Sequence, residues 1–87
     1  MSQRNIYSAI DIRSDKIICL IAQELEIINS NKILQLIGIG ISKLPLECTK
    51  PLSLPKSEIS NYIRQAIVKA ESEANTKINN VFVSIAE

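Results

Sequence analysis

Residues 7–20 read Tyr7-Ser8-Ala9-Ile10-Asp11-Ile12-Arg13-Ser14-Asp15-Lys16-Ile17-Ile18-Cys19-Leu20, and the remaining chain is arranged about them. The stretch reads as a strand from about Ile6 to Ile12, a polar turn at Arg13-Ser14-Asp15, and a second strand. Asp11 is the one carboxylate in the first strand and sits where the strand meets the turn. A charged side chain at a strand end requires a partner if it is buried at all. The plainest role for it is that of a turn residue hydrogen-bonded to nearby backbone amides.

Outward from this hairpin, the second strand runs over about Lys16–Ile27. It is apolar without interruption over Ile17–Ala22, which predicts a strand covered on both faces, and then alternates toward water. The polar run Asn29-Ser30-Asn31-Lys32 predicts a tight turn and hence an antiparallel third strand, over about Ile33–Ser42. Strict alternation there places Ile33, Ile37, Ile39 and Ile41 on one face and Leu34, Leu36, Gly38 and Gly40 on the other. Gly38-Ile39-Gly40 lacks the third glycine and the Lys-Ser/Thr of a phosphate loop. It reads instead as two strand glycines that admit another backbone, or a bulge. Lys43 to Lys56, with Pro45, Pro51 and Pro55, predicts a loop.

A helix follows. Ser57 is the expected N-cap, Glu58 complements the helix dipole, and Asn75 suits a left-handed C-terminal position. Ile59, Ile63, Ala66, Ile67, Ala70 and Ala74 recur at three- and four-residue spacing as one apolar stripe. Packing through Ile63, Ile67 and Ala70 is expected, with the charges Arg64, Lys69, Glu71 and Glu73 forming a solvated face. A fourth strand, about Asn80–Ile85, has Val81, Val83 and Ile85 on one side and Phe82 and Ser84 on the other. The fold class is therefore α/β, in the order β-β-β-α-β, with the helix crossing from the third strand to the fourth.

Composition narrows the function. The 87 residues allow a single domain, and 46% hydrophobic against 22% charged residues describes a globular chain. Net charge is +1 with scattered basic residues, and aromatics are 3% of the chain, which argues against a nucleic-acid surface. The longest apolar run is far short of a membrane span, and Met1-Ser-Gln-Arg-Asn has no apolar segment of the signal-peptide kind. Cys19 and Cys48 form no CxxC and the chain has no His, so a structural zinc site is not expected. Both read as reduced thiols in a cytoplasmic protein, Cys48 inert in its loop. With no His and no supported pair of carboxylates, catalysis by this chain alone is not expected. One helix shields one sheet face, while the second and third strands are apolar on both. The uncovered face is expected to be an interface.

Four segments in order carry a family resemblance: Ile10-Asp11-Ile12-(Arg13-Ser14-Asp15)-Lys16-Ile17, Leu36-Ile-Gly-Ile-Gly-Ile-Ser42, the Ile63–Glu71 helix, and Lys77–Ile85. The first resembles the initial phosphate-binding hairpin of the actin and sugar-kinase superfamily, in the form found in FtsA, the bacterial actin-like cell-division family. The resemblance implies that residues 1–87 are a partial, ribonuclease-H-like subdomain 1A of an incomplete ATPase domain, ending where that family inserts its small subdomain. It further implies a cytoplasmic divisome protein at the face of the inner membrane, linked to the FtsZ ring, with no membrane insertion from this segment. Asp11 matches the metal-facing Asp of an ATP–Mg²⁺ site, Ser14 the hydroxyl residue and Lys16 the family Lys. Arg13 stands where the family has Gly, and Asp15 where it has Ser or Thr. Gly lets backbone approach a phosphate, whereas Arg brings bulk and Asp15 adds negative charge. No cofactor is therefore expected for this chain alone. The expected partners are FtsZ and other division proteins, together with the rest of the domain or a second copy. The other reading is a small non-enzymatic interaction module that docks a partner on its bare sheet face.

Overall fold

The order of elements is the one the sequence predicts: β1 (Ile6–Ile12), β2 (Lys16–Ile27), β3 (Asn31–Lys43), α1 (Lys56–Ala74) and β4 (Phe82–Ile85). The structure is a computed structural model that describes residues 5–27, 31–45, 54–79 and 81–85. Cys48 and Pro51, and the loop role expected of them, lie outside the described residues. The four strands form one sheet in the order β3-β2-β1-β4. β1 and β3 each flank β2 antiparallel, and β4 lies parallel to β1. The chain thus leaves β3 at one edge and returns through α1 to the opposite edge.

Alternation in β1 and β2 sorts their residues cleanly. Ile10, Ile12, Ile17, Cys19 and Ile21 point toward α1 and are buried, and with Leu44, Ala66 and Ala70 they make the core. The deepest helix positions are alanines. Ile59, Ile63 and Ile67 flank them, partly buried against the core. The expected contact through Ile63, Ile67 and Ala70 holds, with Ala66 and Ala70 at the centre of the seam and the isoleucines lining its sides.

The seam is tight because β3 offers glycine there. A Cβ on Gly40 would collide with the Ala66 carbonyl oxygen and lie 2.7 Å from the Ala70 nitrogen. One on Gly38 would meet the Ala70 carbonyl oxygen and lie 2.9 Å from the Ala74 Cβ. Only glycine lets helix backbone rest directly on strand backbone here. The sequence reading of these glycines as a site of close approach holds, and so does its alternative of a bulge.

The bulge corrects the assigned faces of β3. Ile21 pairs with Gly38 but Ala22 pairs with Leu36, so Ile37 is an extra residue in the ladder. Period-two alternation breaks at that point. Leu34 and Leu36 therefore share a face with Ile39 and Ile41, the face turned away from α1, whereas strict alternation had separated them. Ile37 packs against the core beside Gly38.

Helix ends follow their chemistry in part. Pro55, not Ser57, occupies the N-cap, with no side-chain cap hydrogen bond, and Ser57 lies inside the first turn. Proline's fixed φ suits the entry to a helix. At the other end Asn75 takes the left-handed conformation at φ 55°, as its amide side chain permits. Thr76 N–H then donates to the Glu71 carbonyl at 3.2 Å.

Candidate functional site

The β1–β2 turn brings Asp11, Arg13, Ser14, Asp15 and Lys16 to one end of the sheet. Arg13 N–H donates to the Lys16 carbonyl at 2.9 Å, closing the hairpin on itself. Leu44 N–H donates to the Asp15 carbonyl at 2.9 Å, tying the end of β3 to the turn. Two backbone groups of the turn are thereby committed within the protein. Asp11 lies on the sheet face away from α1, opposite Ile18 and, across β4, Ser84. Its carboxylate accepts from Arg13 Nε at 2.8 Å, an ion pair open to solvent on the Arg side. This answers the question of its partner: a side-chain guanidinium takes the place expected for backbone amides.

That pair bears on the ATP–Mg²⁺ site the resemblance implies. A cation bound through Asp11 must share its carboxylate with the guanidinium already 2.8 Å away. Exposed pairs contribute at most about 1 kcal/mol, so the pair alone is no barrier. Arg13, however, also stands where the resemblance implies a cradle glycine. Among the described residues no group of three or more His, Cys, Asp or Glu side chains could hold a metal ion. At this turn ATP–Mg²⁺ would meet the Arg13 side chain and share the Asp11 carboxylate with it.

Away from the turn, the face of the sheet opposite α1 is apolar and open. It presents Tyr7, Leu34, Leu36, Ile39 and Ile41 exposed, with Ile18 and Leu20 half-buried between them. Leu34 is 64% and Leu36 57% exposed. No described helix covers this face, and the register places all seven residues on it. The expectation of an uncovered apolar face is met.

Arg64, Lys69 and Glu73 are exposed, as expected of a solvated face, but two of these charges also bond the sheet. Lys69 Nζ donates to the Ile41 carbonyl at 2.9 Å, and Glu73 accepts from Ile39 N–H at 3.1 Å. Both reach from α1 to the outer edge of β3. Glu71 accepts from Ile78 N–H at 2.9 Å and pairs with Lys77 at 3.8 Å, pinning the segment that leads to β4. The signal in the sequence was position: Lys69 and Glu73 stand one helical turn apart beside the Ala66–Ala70–Ala74 stripe, where long side chains can pass over a glycine strand. Gln65 flanks the stripe too, accepting from the buried Ser42 hydroxyl at 3.3 Å.

Cys19 is fully buried in the core. Burial, and secondarily the Glu71 carboxylate, hold its thiol above its ordinary pKa, which keeps it protonated and unreactive. A polar cleft lined by Asn5, Ser8, Thr76, Lys77 and Asn79 lies at the end of the sheet remote from the β1–β2 turn. None of the described helices is long and apolar enough to cross a membrane. No family model matches the chain, and no curated protein matches it.

Proposed function

We propose that the chain is the first segment of an FtsA-like, actin-related domain of bacterial cell division, acting structurally and without nucleotide chemistry of its own. The observation that carries this reading is the bare apolar sheet face, which one helix leaves open across three strands. Supporting it are the β-β-β-α-β order and the return of β4 parallel to β1, which match the ribonuclease-H-like segment the resemblance implies. In this reading the rest of the domain covers the face, at the cytoplasmic side of the inner membrane beneath the FtsZ ring. The test is co-expression of the chain with the subdomains that follow this segment in FtsA-type proteins. A stable one-to-one complex that no longer binds ANS is expected, and Leu20→Asp on the bare face should abolish it. Two polypeptides that elute separately would overturn the reading.

The Asp11–Arg13 pair favours a second reading, a non-enzymatic interaction module with no nucleotide history. There the same face takes a different protein, and the actin-type subdomains fail to bind while the face remains sticky.

A further inference from the structure

We infer that the outer edge of β3 is a strand-addition site confined to Ile33–Ile37, and that its occupant is the same edge of a second copy of this chain. The inference goes beyond the reading above, because it concerns the edge of the sheet and not its face. β3 is an outermost strand, and an outermost strand offers unpaired N–H and C=O groups to another chain. In its second half those groups are taken. Ile39 N–H and the Ile41 carbonyl bond Glu73 and Lys69 of α1, so that half is closed to an incoming strand.

The same bonds reveal which residues look outward. Ile39 and Ile41 direct backbone groups away from β2, so in an antiparallel ladder their neighbours Gly38 and Gly40 bond inward. The extra residue Ile37 resets the count. Leu36, paired with Ala22, and Leu34, paired with Glu24, then direct their backbone groups outward. No described side chain of α1 bonds Leu34 or Leu36.

The exposed half is self-complementary in one register. A symmetric dimer needs a patch that matches itself about the axis. With Gln35 at the axis, Leu34 of one copy faces Leu36 of the other, and outward groups meet outward groups on both sides. The leucines then pair across the strands on one face, and Ile33 meets Ile37 on the other. Every apolar residue faces an apolar residue, and Gln35, whose Oε1 already accepts from Gln23 Nε2 at 2.8 Å, faces its own counterpart with its amide N–H groups left to donate. Centring on Leu34 instead would set Lys32 against Leu36. The contact is short, below the roughly 1,200 Å² of stable interfaces, so the dimer exchanges quickly and is best caught by cross-linking.

The experiment places single thiols along the edge in the full chain carrying Cys48→Ser. Under mild oxidation Gln35→Cys should give a disulfide-linked dimer, because directly opposed residues have Cβ atoms about 4.5–5.5 Å apart. Ile33→Cys should not, since in this register its counterpart lies several residues along the partner strand. Adding Leu34→Pro to Gln35→Cys removes an outward N–H that β2 does not use, and cross-linking should fall about tenfold. Lys69→Ala with Glu73→Ala frees the closed half and should raise it. Equal cross-linking at residues 33 and 35, or none at 35, would overturn the proposal. Should Leu34→Pro prove unfolded by circular dichroism, the comparison of residues 33 and 35 and the Lys69/Glu73 variant still decide. Leu20→Asp distinguishes the two readings, because it removes the face-dependent complex and leaves the Gln35→Cys dimer in place.

Discussion

Arg13 shows how one residue redirects a local motif. In the phosphate-turn reading Asp11, Ser14 and Lys16 stand at the expected positions, but Arg13 stands where that reading expects glycine, and its guanidinium bonds Asp11. ATP with Mg²⁺ should therefore bind the isolated chain no tighter than about 1 mM, roughly −4 kcal/mol, by isothermal titration. A micromolar isotherm would show that Arg13 swings aside. Of this site, the residue types and their clustering at one turn were legible in the sequence. The Asp11–Arg13 pairing was not, because a turn can present Asp to backbone or to a side chain and only the final geometry chooses. Gly40 is the other residue on which much depends. In Gly40→Ala the added methyl meets helix backbone, which has no rotamer to yield, so α1 must shift. A loss of about 1–3 kcal/mol is expected, read as a lower urea midpoint. Cys19 supplies a pH signature. Its folded pKa is raised, so its contribution to stability is fully present below the unfolded thiol's pKa of 9.0 and is lost as pH climbs through the folded value. Urea midpoints measured at rising pH should fall above that point, and less so in Cys19→Ala.

At the scale of elements, the helix–sheet seam reassigns the energetics of α1. Ile67 flanks the seam half-buried, so Ile67→Ala should cost about 1 kcal/mol by urea denaturation, below the 2–5 kcal/mol of a fully buried isoleucine. A loss at the upper end would place Ile67 in the core in solution. The bounds of β2 were legible to the residue, because an apolar run between a polar turn and an alternating tail has few other readings. The faces of β3 were not. A bulge has no local signature when the residues around it are all isoleucine, leucine and glycine, and one extra residue inverts the alternation beyond it. The helix start was missed for a similar reason. Ser57 and Pro55 are both acceptable entry residues, and the backbone path from β3 selects between them.

For the whole molecule, the question is what a sheet with one described helix does with its second face. Burial of a large aliphatic side chain contributes about 1.5–3 kcal/mol, and several stand open here. The isolated chain should bind ANS and sediment as species larger than a monomer at micromolar concentration. Ile41→Lys, on the open face and away from the Ile33–Ile37 edge, should weaken both signals. A dye-negative, compact monomer would mean that the face is covered from within the chain. The sheet order has a separate consequence, in time. β1, β2 and β3 are neighbours in sequence and can close as a meander in microseconds to milliseconds, whereas β4 pairs with β1 from the far end of the chain. Until α1 docks and carries β4 across, the outer edge of β1 stands unpaired beside freshly buried isoleucines. Refolding is then a race between that late arrival and any other strand in solution, and its yield depends on dilution as much as on stability.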